Sequence, residues 1–343
     1  MKSLVIWAHS ECRSNAALYG EVKRLAEAMG VGVTMCLWDE KPMDEVRKVH
    51  GLEYIKVGDD LEKGREVLSA HGGKGTVHVI CVYQNSTVWR QLIVEAKASG
   101  SRVVVSAEAP CEMCVGLKAL AKRVYYRFVL PWRVRGCVKA ADVFLNASGA
   151  SGIGRLRRLG WAREKIVPFG YASALTGEFR VKSFELGVGE SLRILHTGVE
   201  EAYRGVETLE NAVVMLKKRG VQVELRHTGG KVSEEEMQEL YGWADVFVGC
   251  GLCEPWGMRV NDAIHAGLPI VVSSGMGSKW LVEQFGCGAV FKRGDSKELA
   301  DILERIANDS DYRKRLLSGV LATHEAWTPE ARAKVWLDEV LRA

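Results

Sequence analysis

The sequence predicts an α/β protein of two doubly wound domains, each a parallel sheet with helices on both faces. Short apolar runs alternate with amphipathic segments along the chain, as in successive β–α units. The chain has 343 residues, and a single core rarely grows past ~250–300. A charged, poorly periodic segment at 178–191 separates two alternating series. We therefore place domains at 1–175 and 190–322, with a terminal helix at 323–343 that returns to the first domain.

The first series supplies the elements of the first domain. Apolar runs predict strands at 3–8, 32–37, 77–83, 102–106 and 143–146, with a short closing strand inside 165–170. Helical spacing predicts helices at 15–29, 61–70, 87–98 and about 115–129. We expect Pro131 to break or kink the last helix, because proline lacks the N–H that an interior helical position donates.

The second series repeats the alternation. It predicts strands at 192–196, 222–227, 246–249 and 270–274, and helices at 206–219, 233–243 and 297–308. A terminal helix begins after Thr328, an N-cap residue, with Pro329 at its first position. Two domains of this kind would meet at a central cleft, where the carboxyl ends of parallel strands bind ligands.

The most informative segment of the second series contains two acids. Glu254 follows a predicted strand, a Pro-Trp-Gly turn comes next, and Asp262 lies eight residues further on. We expect the two acids to share one face of a helix that ends at Gly267. At 100° per residue, Asp262 comes within about 80° of Glu254 on a helix surface. Carboxylates suit sugar hydroxyls, and a helix N-terminus suits a phosphate. The spacing therefore fits a sugar-nucleotide site, or two ordinary acids near a helix start.

Charge and cysteine usage narrow the function classes. Residues 111–165 hold twelve basic and three acidic side chains in a chain of net charge +4, which indicates an acidic partner for one face of the first half. We expect no nucleic acid, because no recognition module accompanies this basic patch. The N-terminus lacks the features of a signal peptide, and no segment approaches the ~20 apolar residues of a membrane span. Nine cysteines then indicate reduced thiols and a cytoplasmic protein.

Three motifs of the second half share one resemblance. The Glu254–Asp262 segment continues into Ala-Gly-Leu-Pro-Ile-Val-Val-Ser, residues 241–248 lead into it, and 198–205 place Arg204 just before a glycine. Together they resemble the nucleotide-binding domain of the family 4 retaining glycosyltransferases. The resemblance implies an α/β fold of the GT-B type, with two Rossmann-like doubly wound domains facing a central cleft. It also implies that the first domain binds an acceptor and the second a nucleotide sugar.

The resemblance implies roles for three charged residues. Glu254 would hold hydroxyls of the donor sugar, and Asp262 would bind the ribose. Arg204 would take the place of the family's lysine and stabilise charge on the leaving nucleoside diphosphate, a form of electrostatic catalysis.

Other motif residues would complete the donor site. Gly198 belongs to the phosphate-binding loop, and the backbone amides around Trp256, Gly257 and Met258 would face the sugar and the pyrophosphate. Arg259 either reaches the same phosphates or faces solvent.

Two departures from the family pattern keep other functions open. Val199 stands where the family has an arginine, and residues 9–15 replace the glycine-rich loop that follows the first strand. A catalytically weak protein that binds nucleotide sugars or glycans is therefore one alternative, and a nucleotide-sugar epimerase of similar architecture is another.

Glu108 follows a predicted strand of the first domain, so we expect it at the edge of the cleft. There it contacts the donor or the acceptor, or it caps the next helix.

Two Cys-x-x-Cys pairs, Cys111/Cys114 and Cys250/Cys253, also follow strands. Four thiolates suit zinc, but small thiols are commonly buried, and the family needs no metal. We expect neither a metal nor any other cofactor.

The segment 117–139 mixes basic and aromatic residues. An apolar stripe contains Leu117, Leu120, Val124 and Phe128, and basic side chains lie off it. The stripe fits an interfacial helix on an anionic membrane surface, or a helix face that packs on the core.

These observations predict a retaining glycosyltransferase that moves a sugar from a nucleoside diphosphate to a hydroxyl of a glycan or lipid-linked glycan. The expected products are cell-surface polysaccharide or lipopolysaccharide. The expected location is the cytoplasm, including the inner face of the plasma membrane.

Overall fold

The computed structural model describes residues 3–9, 13–38, 51–81, 83–111, 117–173, 187, 189–198, 202–230 and 232–342. The chain folds into two compact units. The N-terminal unit comprises Met1–Pro110, Leu120–Ala174 and Thr328–Ala343, and the C-terminal unit comprises Cys111–Ala119 and Leu175–Trp327.

A parallel sheet forms the centre of the N-terminal unit. Its strands are β1 (Ser3–Ala8), β2 (Gly32–Leu37), β3 (Ile55–Lys56), β4 (Thr76–Ile80), β5 (Arg102–Ala107), β6 (Val143–Asn146) and β7 (Ile166–Pro168). They pair in the order β3-β2-β1-β4-β5-β6-β7. The helices of this part are α1 (Arg13–Ala28), α2 (Leu61–His71), α3 (Thr87–Ala98), α4 (Leu117–Val124), α5 (Leu130–Ala140) and α6 (Ile153–Arg158).

The sheet is buried on both faces, which explains why its strands are apolar without strict alternation. In β1, Trp7 packs on one side with Trp89 and Phe144, and Ile6 packs on the other with Val22. Each face therefore has its own core.

A second parallel sheet forms the C-terminal unit. Its strands are β8 (Leu192–His196), β9 (Val223–His227), β10 (Val246–Gly249), β11 (Ile270–Ser273) and β12 (Gly288–Phe291). Their order is β12-β11-β10-β8-β9. The helices are α7 (Val206–Lys218), α8 (Glu234–Trp243), α9 (Arg259–His265), α10 (Lys279–Phe285), α11 (Ser296–Asn308) and α12 (Ser310–Trp327). The chain leaves β8 toward one edge and returns to β10 on the other side, so β8 and β10 flank the switch point where such sheets bind ligands.

The last helix, α13 (Pro329–Leu341), belongs to the N-terminal unit and packs against α1. Thr328 caps it by accepting a hydrogen bond from the Ala331 N–H. Trp336 is fully buried against Tyr19, and Arg332 donates to the carbonyl of Phe169. The sequence signals for the start of this helix therefore correspond to a real cap.

The sequence predicted that a helix ends near residue 129 and that Pro131 breaks or kinks it. The predicted end was wrong. Helix α4 continues through one π-helical turn, Tyr125–Val129, directly into α5. In that turn the Leu130 N–H donates to the carbonyl of Tyr125, five residues back. Pro131 directly follows this π-helical turn, so its missing N–H falls where the regular α-helical hydrogen-bond pattern is already interrupted.

Strand β4 ends at Ile80 rather than at residue 83, and the short elements β3 and α6 were not predicted because too few residues show a period. The sequence analysis also did not predict α10, β12 and the 18-residue helix α12 of the C-terminal unit. No helix in the described part of the chain is long and apolar enough to cross a bilayer.

Candidate active site

The candidate site lies at the switch point of the C-terminal sheet. A pocket there is lined by His196 at the end of β8, by Gly249 at the end of β10, and by Cys250 and Gly251 just after it. Arg204 and Glu254 line the same pocket. The carboxyl ends of two neighbouring strands thus bring these residues together, as expected for this kind of sheet.

Close packing of two loops positions Arg204. Arg204 ends a short 3₁₀ helix, Ala202–Arg204, and the Leu252 N–H donates to the carbonyl of Tyr203 at 2.8 Å. Gly205 follows with φ of 67°, and a Cβ there would overlap the carbonyl oxygen of Cys250. Only glycine fits this approach, which fixes the loop that carries Arg204 against the loop that carries Glu254.

Glu254 lies in the loop before α9, not on the helix. Its N–H donates to the carbonyl of Gly275, and its own carbonyl accepts from the Gly277 N–H, both at 3.0 Å. The next glycine, Gly257, has φ of 100°, a conformation that L side chains rarely adopt. The prediction that Glu254 and Asp262 share one helix face was therefore wrong, because the Pro-Trp-Gly turn delays the start of α9 to Arg259.

Arg204 and Glu254 form an ion pair. Arg204 Nη1 lies 2.5 Å from Glu254 Oε1, and the two side chains are 26% and 16% exposed. Burial raises the pKa of Glu254, and the neighbouring guanidinium opposes this rise. Arg204 Nε is buried and has no hydrogen-bond partner among the described residues. The pocket therefore holds a desolvated carboxylate and an unused guanidinium N–H.

His196 is a site residue that the sequence analysis missed. Its Nδ1–H donates to the carbonyl of Val248 at 2.7 Å, since a carbonyl can only accept. Burial lowers the pKa of His196, so the ring is neutral and Nε2 is a hydrogen-bond acceptor. Nε2 is buried without a partner in the described part of the chain. A single histidine at the end of an apolar strand gave no pattern from which to predict this.

Asp262 lies on α9 and is 7% exposed. Its Oδ2 is 3.5 Å from Arg259 Nη1, and Arg259 itself lines the pocket with Arg204. Burial, together with the charge of Asp262, raises the pKa of Tyr241. Arg259 is thus at the pocket rather than directed wholly into solvent, and Asp262 lies behind it.

The remaining predicted donor residues have distinct environments. The Trp256 side chain is 1% exposed and donates from Nε1 to Asn261 Oδ1 at 2.9 Å, so it belongs to the core. Met258 immediately precedes α9. Gly198 has φ of 144°, and its N–H donates to Thr228 Oγ1. Val199 lies outside the described residues.

Comparison with known proteins finds a family match within the C-terminal unit. The sequence profile of the family described as glycosyl transferases group 1 matches residues 198–318. This stretch contains Arg204, Glu254 and Asp262. This part of the chain matches the group 1 glycosyl transferases. The protein is therefore a glycosyltransferase, and the expectations of family and enzyme class are confirmed.

Solved structures similar to this glycosyltransferase share its fold. They include Anabaena HepE in complex with UDP and glucose (12% identity, TM-score 0.67, 100% of both chains). The apo lipopolysaccharide outer core galactosyltransferase WaaB is another (11%, 0.68, 99% of both chains). A third is a putative UDP-N-acetylglucosamine 2-epimerase from Listeria monocytogenes (12%, 0.61, 99% of this chain and 96% of that chain). No curated protein matches the sequence. At these identities the likeness concerns the fold, and it confirms the predicted GT-B class.

Glu108 of the glycosyltransferase lies in the N-terminal unit, directly after β5. Its Oε1 accepts a hydrogen bond from the Tyr171 hydroxyl at 3.2 Å, and its carbonyl accepts from Gln84 Nε2. These contacts fix the side chain at the carboxyl end of a central strand.

The described cysteines of the two Cys-x-x-Cys pairs have different environments. Cys111 and Cys253 have sulfur atoms 3.1 Å apart, whereas Cys250 is fully buried and burial raises its pKa. A zinc ligand must be a thiolate, which that burial disfavours. Cys114 lies outside the described residues. Within those residues, no three His, Cys, Asp or Glu side chains are arranged to hold a metal ion.

Proposed function

We propose that this glycosyltransferase moves a sugar, with retention, from a nucleoside diphosphate sugar to a hydroxyl of a glycan or lipid-linked glycan. The observation that carries the proposal is the Arg204–Glu254 pair at the switch point, with two unused hydrogen-bonding atoms beside it. Arg204 Nε offers a donor and His196 Nε2 an acceptor. A phosphorylated sugar supplies both partners, since phosphate oxygens accept and sugar hydroxyls donate.

Binding of the donor exchanges the partners of the ion pair. A diphosphate competes with Glu254 for the guanidinium, which can grip two phosphate oxygens at once. Glu254 is then available to accept from the hydroxyls of the donor sugar. As the bond from the anomeric carbon to the phosphate oxygen breaks, negative charge grows on the diphosphate, and Arg204 stabilises it.

Other residues extend the proposed donor site. Gly198 and the backbone amides around Trp256, Gly257 and Met258 face the phosphates and the sugar. Arg259 adds a second cation at the pocket, and Asp262 accepts from the ribose through a local shift that exposes it. Retention follows from departure and attack on the same face, with the leaving phosphate accepting the proton of the acceptor hydroxyl.

We assign the acceptor to the N-terminal unit, at the carboxyl end of its sheet. Glu108 is the candidate contact there, because it follows β5 and is held by Tyr171. Two structurally similar proteins guide the choice of probes, since HepE was captured with UDP-glucose and WaaB is a lipopolysaccharide galactosyltransferase. UDP-hexoses are therefore the first donors to test.

The decisive experiment measures nucleotide release and transfer for UDP-glucose, UDP-galactose and GDP-, ADP- and TDP-sugars. We expect Arg204→Ala to lower kcat by ~10²–10³, the usual effect of removing one charge-stabilising donor. Glu254→Gln keeps the shape but loses the charge, and should chiefly impair sugar transfer. Arg219→Ala is the matched control, because Arg219 is an ion-paired arginine of the same unit outside this pocket. Full activity in both site variants, or no response to any donor, would overturn the proposal.

A second function rests on the similarity in fold to the Listeria epimerase. A nucleotide-sugar epimerase would interconvert the donor in the absence of acceptor, with the nucleotide still attached. Donor incubated alone distinguishes the outcomes: an epimerised donor indicates the epimerase, and a melting shift without any turnover indicates a binding protein.

A further inference from the structure

The helical segment from α4 to α5 exposes a row of large apolar side chains. Those of Leu120, Val124, Phe128, Val129 and Trp132 are 64%, 50%, 66%, 42% and 72% exposed. The sequence left open whether the stripe packs on the core or enters a membrane. Its described side chains, those of Leu120, Val124 and Phe128, face away from the core. We call Leu120, Val124, Phe128 and Trp132 the exposed stripe.

The π-helical turn aligns this stripe. Steps of four residues drift by ~40° each on an α-helix, so Trp132 would lie ~120° from Leu120 if the helix were regular. The wider turn at Tyr125–Val129 accommodates about one additional residue and takes back ~100°. The remaining offset is ~20°, so the four side chains form one nearly straight row.

The opposite face of the same helix is anchored in the core. Leu130, Val134 and Cys137 are buried with Trp89 and Phe144 in the N-terminal unit. The exposed stripe is therefore not a core face that failed to find its partner. It is the second apolar face of a helix whose position is already fixed.

Cations surround the stripe without any acid on the same element. The sequence has no Asp or Glu between Glu112 and Asp142. Arg123, Arg127, Arg135 and Lys139 are exposed, and no ion pair of theirs occurs among the described residues. Arg127 lies over the Phe128 ring with its guanidinium carbon 5.7 Å from the centroid. The helix thus presents apolar rows and uncompensated positive charge to the same side of the unit.

We propose that this helix docks the N-terminal unit on an anionic lipid surface. The stripe enters the boundary between headgroups and acyl chains, and the arginines pair with lipid phosphates. Aromatic side chains such as Phe128 and Trp132 suit this boundary. A protein partner would have to supply both an apolar groove and several acids, whereas an anionic bilayer supplies both at every point. The inference is independent of the donor site and goes beyond the proposed reaction.

The test is co-sedimentation of the full chain with vesicles of phosphatidylcholine, with and without 30 mol% phosphatidylglycerol. We expect binding to the anionic vesicles, weakened by salt, and little binding to the neutral ones. Phe128→Ser with Trp132→Ser should reduce binding at least ~tenfold, and Arg127→Glu with Arg135→Glu should do the same. Matched controls are Val214→Ser with Leu321→Ser and Lys297→Glu with Lys314→Glu, which change exposed residues elsewhere.

Several outcomes would overturn the proposal. One is the absence of binding to anionic vesicles, and another is equal loss of binding in the control variants. A dimer that dissociates in the Phe128→Ser, Trp132→Ser variant, without vesicle binding, would assign the stripe to a second copy. Each variant should melt at a temperature close to that of the wild type, which excludes misfolding as the cause of lost binding. Donor hydrolysis is measured in parallel, so a failed donor site and a failed docking surface give different results.

Discussion

At the scale of single residues, the pocket combines one charged pair with one neutral acceptor. Arg204 and Glu254 lie in ion-pair contact, and the guanidinium opposes the rise that burial causes in the pKa of the Glu254 carboxyl. His196 is held neutral by burial and oriented by the carbonyl of Val248. The two kinds of group suit different parts of a ligand, since the arginine selects an anion and the imidazole selects a hydroxyl or N–H.

We predict that His196→Phe weakens donor binding without unfolding the protein. Phenylalanine has a similar shape but no acceptor, so the donor would lose one hydrogen bond, worth about tenfold in KM. The melting temperature should change little, because loss of the hydrogen bond to the Val248 carbonyl is offset by removal of a buried acceptor without a partner. His227→Phe is the control, since His227 pairs with His196 in register but is exposed and outside the pocket. Equal effects of the two substitutions would contradict the assignment.

At the scale of elements, the site depends on three loops that touch through glycines. Gly205 approaches the carbonyl of Cys250, and Gly257 approaches the side chain of Met276. These contacts explain why the start of α9 could not be predicted. Glu254, Pro255 and Gly257 look like the first turn of a helix in sequence, but hydrogen bonds from the Gly275–Gly277 loop hold Glu254 in an extended bridge.

We predict that Gly205→Ala and Gly220→Ala differ strongly. Both glycines have positive φ, 67° and 82°, so alanine costs about 1–2 kcal/mol of backbone strain at either position. A Cβ at Gly220 meets nothing within 4 Å, whereas one at Gly205 overlaps Cys250. Chemical unfolding should show the larger loss for Gly205→Ala, and donor turnover should fall only in that variant. Similar losses in both would indicate that the loop contact does not position Arg204.

Some features of these elements could be predicted from the local sequence, and others could not. Thr328 and Pro329 form a local start signal for a helix, and the cap was predicted correctly. The π-helical turn was not, because Tyr125–Val129 has no local signal and the turn arises where Leu130 and Val134 must reach the core. His196 was missed for a related reason. Its Nε2 becomes an acceptor in the pocket only because the fold places Nδ1 against the carbonyl of Val248.

At the scale of the whole molecule, the two units bury different titratable groups. In the N-terminal unit, His78 is 0% exposed and its Nδ1 accepts from Trp7 Nε1 at 3.2 Å. Burial lowers the pKa of His78 to about 4, although a hydrogen bond with the His71 backbone opposes this shift. The unfolded chain binds a proton near pH 6.5, and the folded unit does so only near pH 4.

We therefore predict that the N-terminal unit loses stability as the pH falls from about 6.5 to about 4. The folded pKa is depressed, so the stabilisation is complete above the unfolded value and disappears below the folded one. The loss should be about 3 kcal/mol for this group. His78→Gln keeps an acceptor for Trp7 and should flatten the dependence, measured by urea unfolding at several pH values. An unchanged slope in that variant would mean that other groups cause it.

The ion pair between Arg204 and Glu254 also bears on how the nucleotide product is released after the reaction. In the proposed reaction, Glu254 and the diphosphate compete for the same guanidinium, so the carboxylate would act as a built-in displacer of the spent nucleotide. When the sugar has gone, nothing holds Glu254 away from Arg204, and re-formation of the pair favours departure of the product. Inhibition by the nucleoside diphosphate should then be weaker in the wild type than in Glu254→Gln, where the displacer has lost its charge.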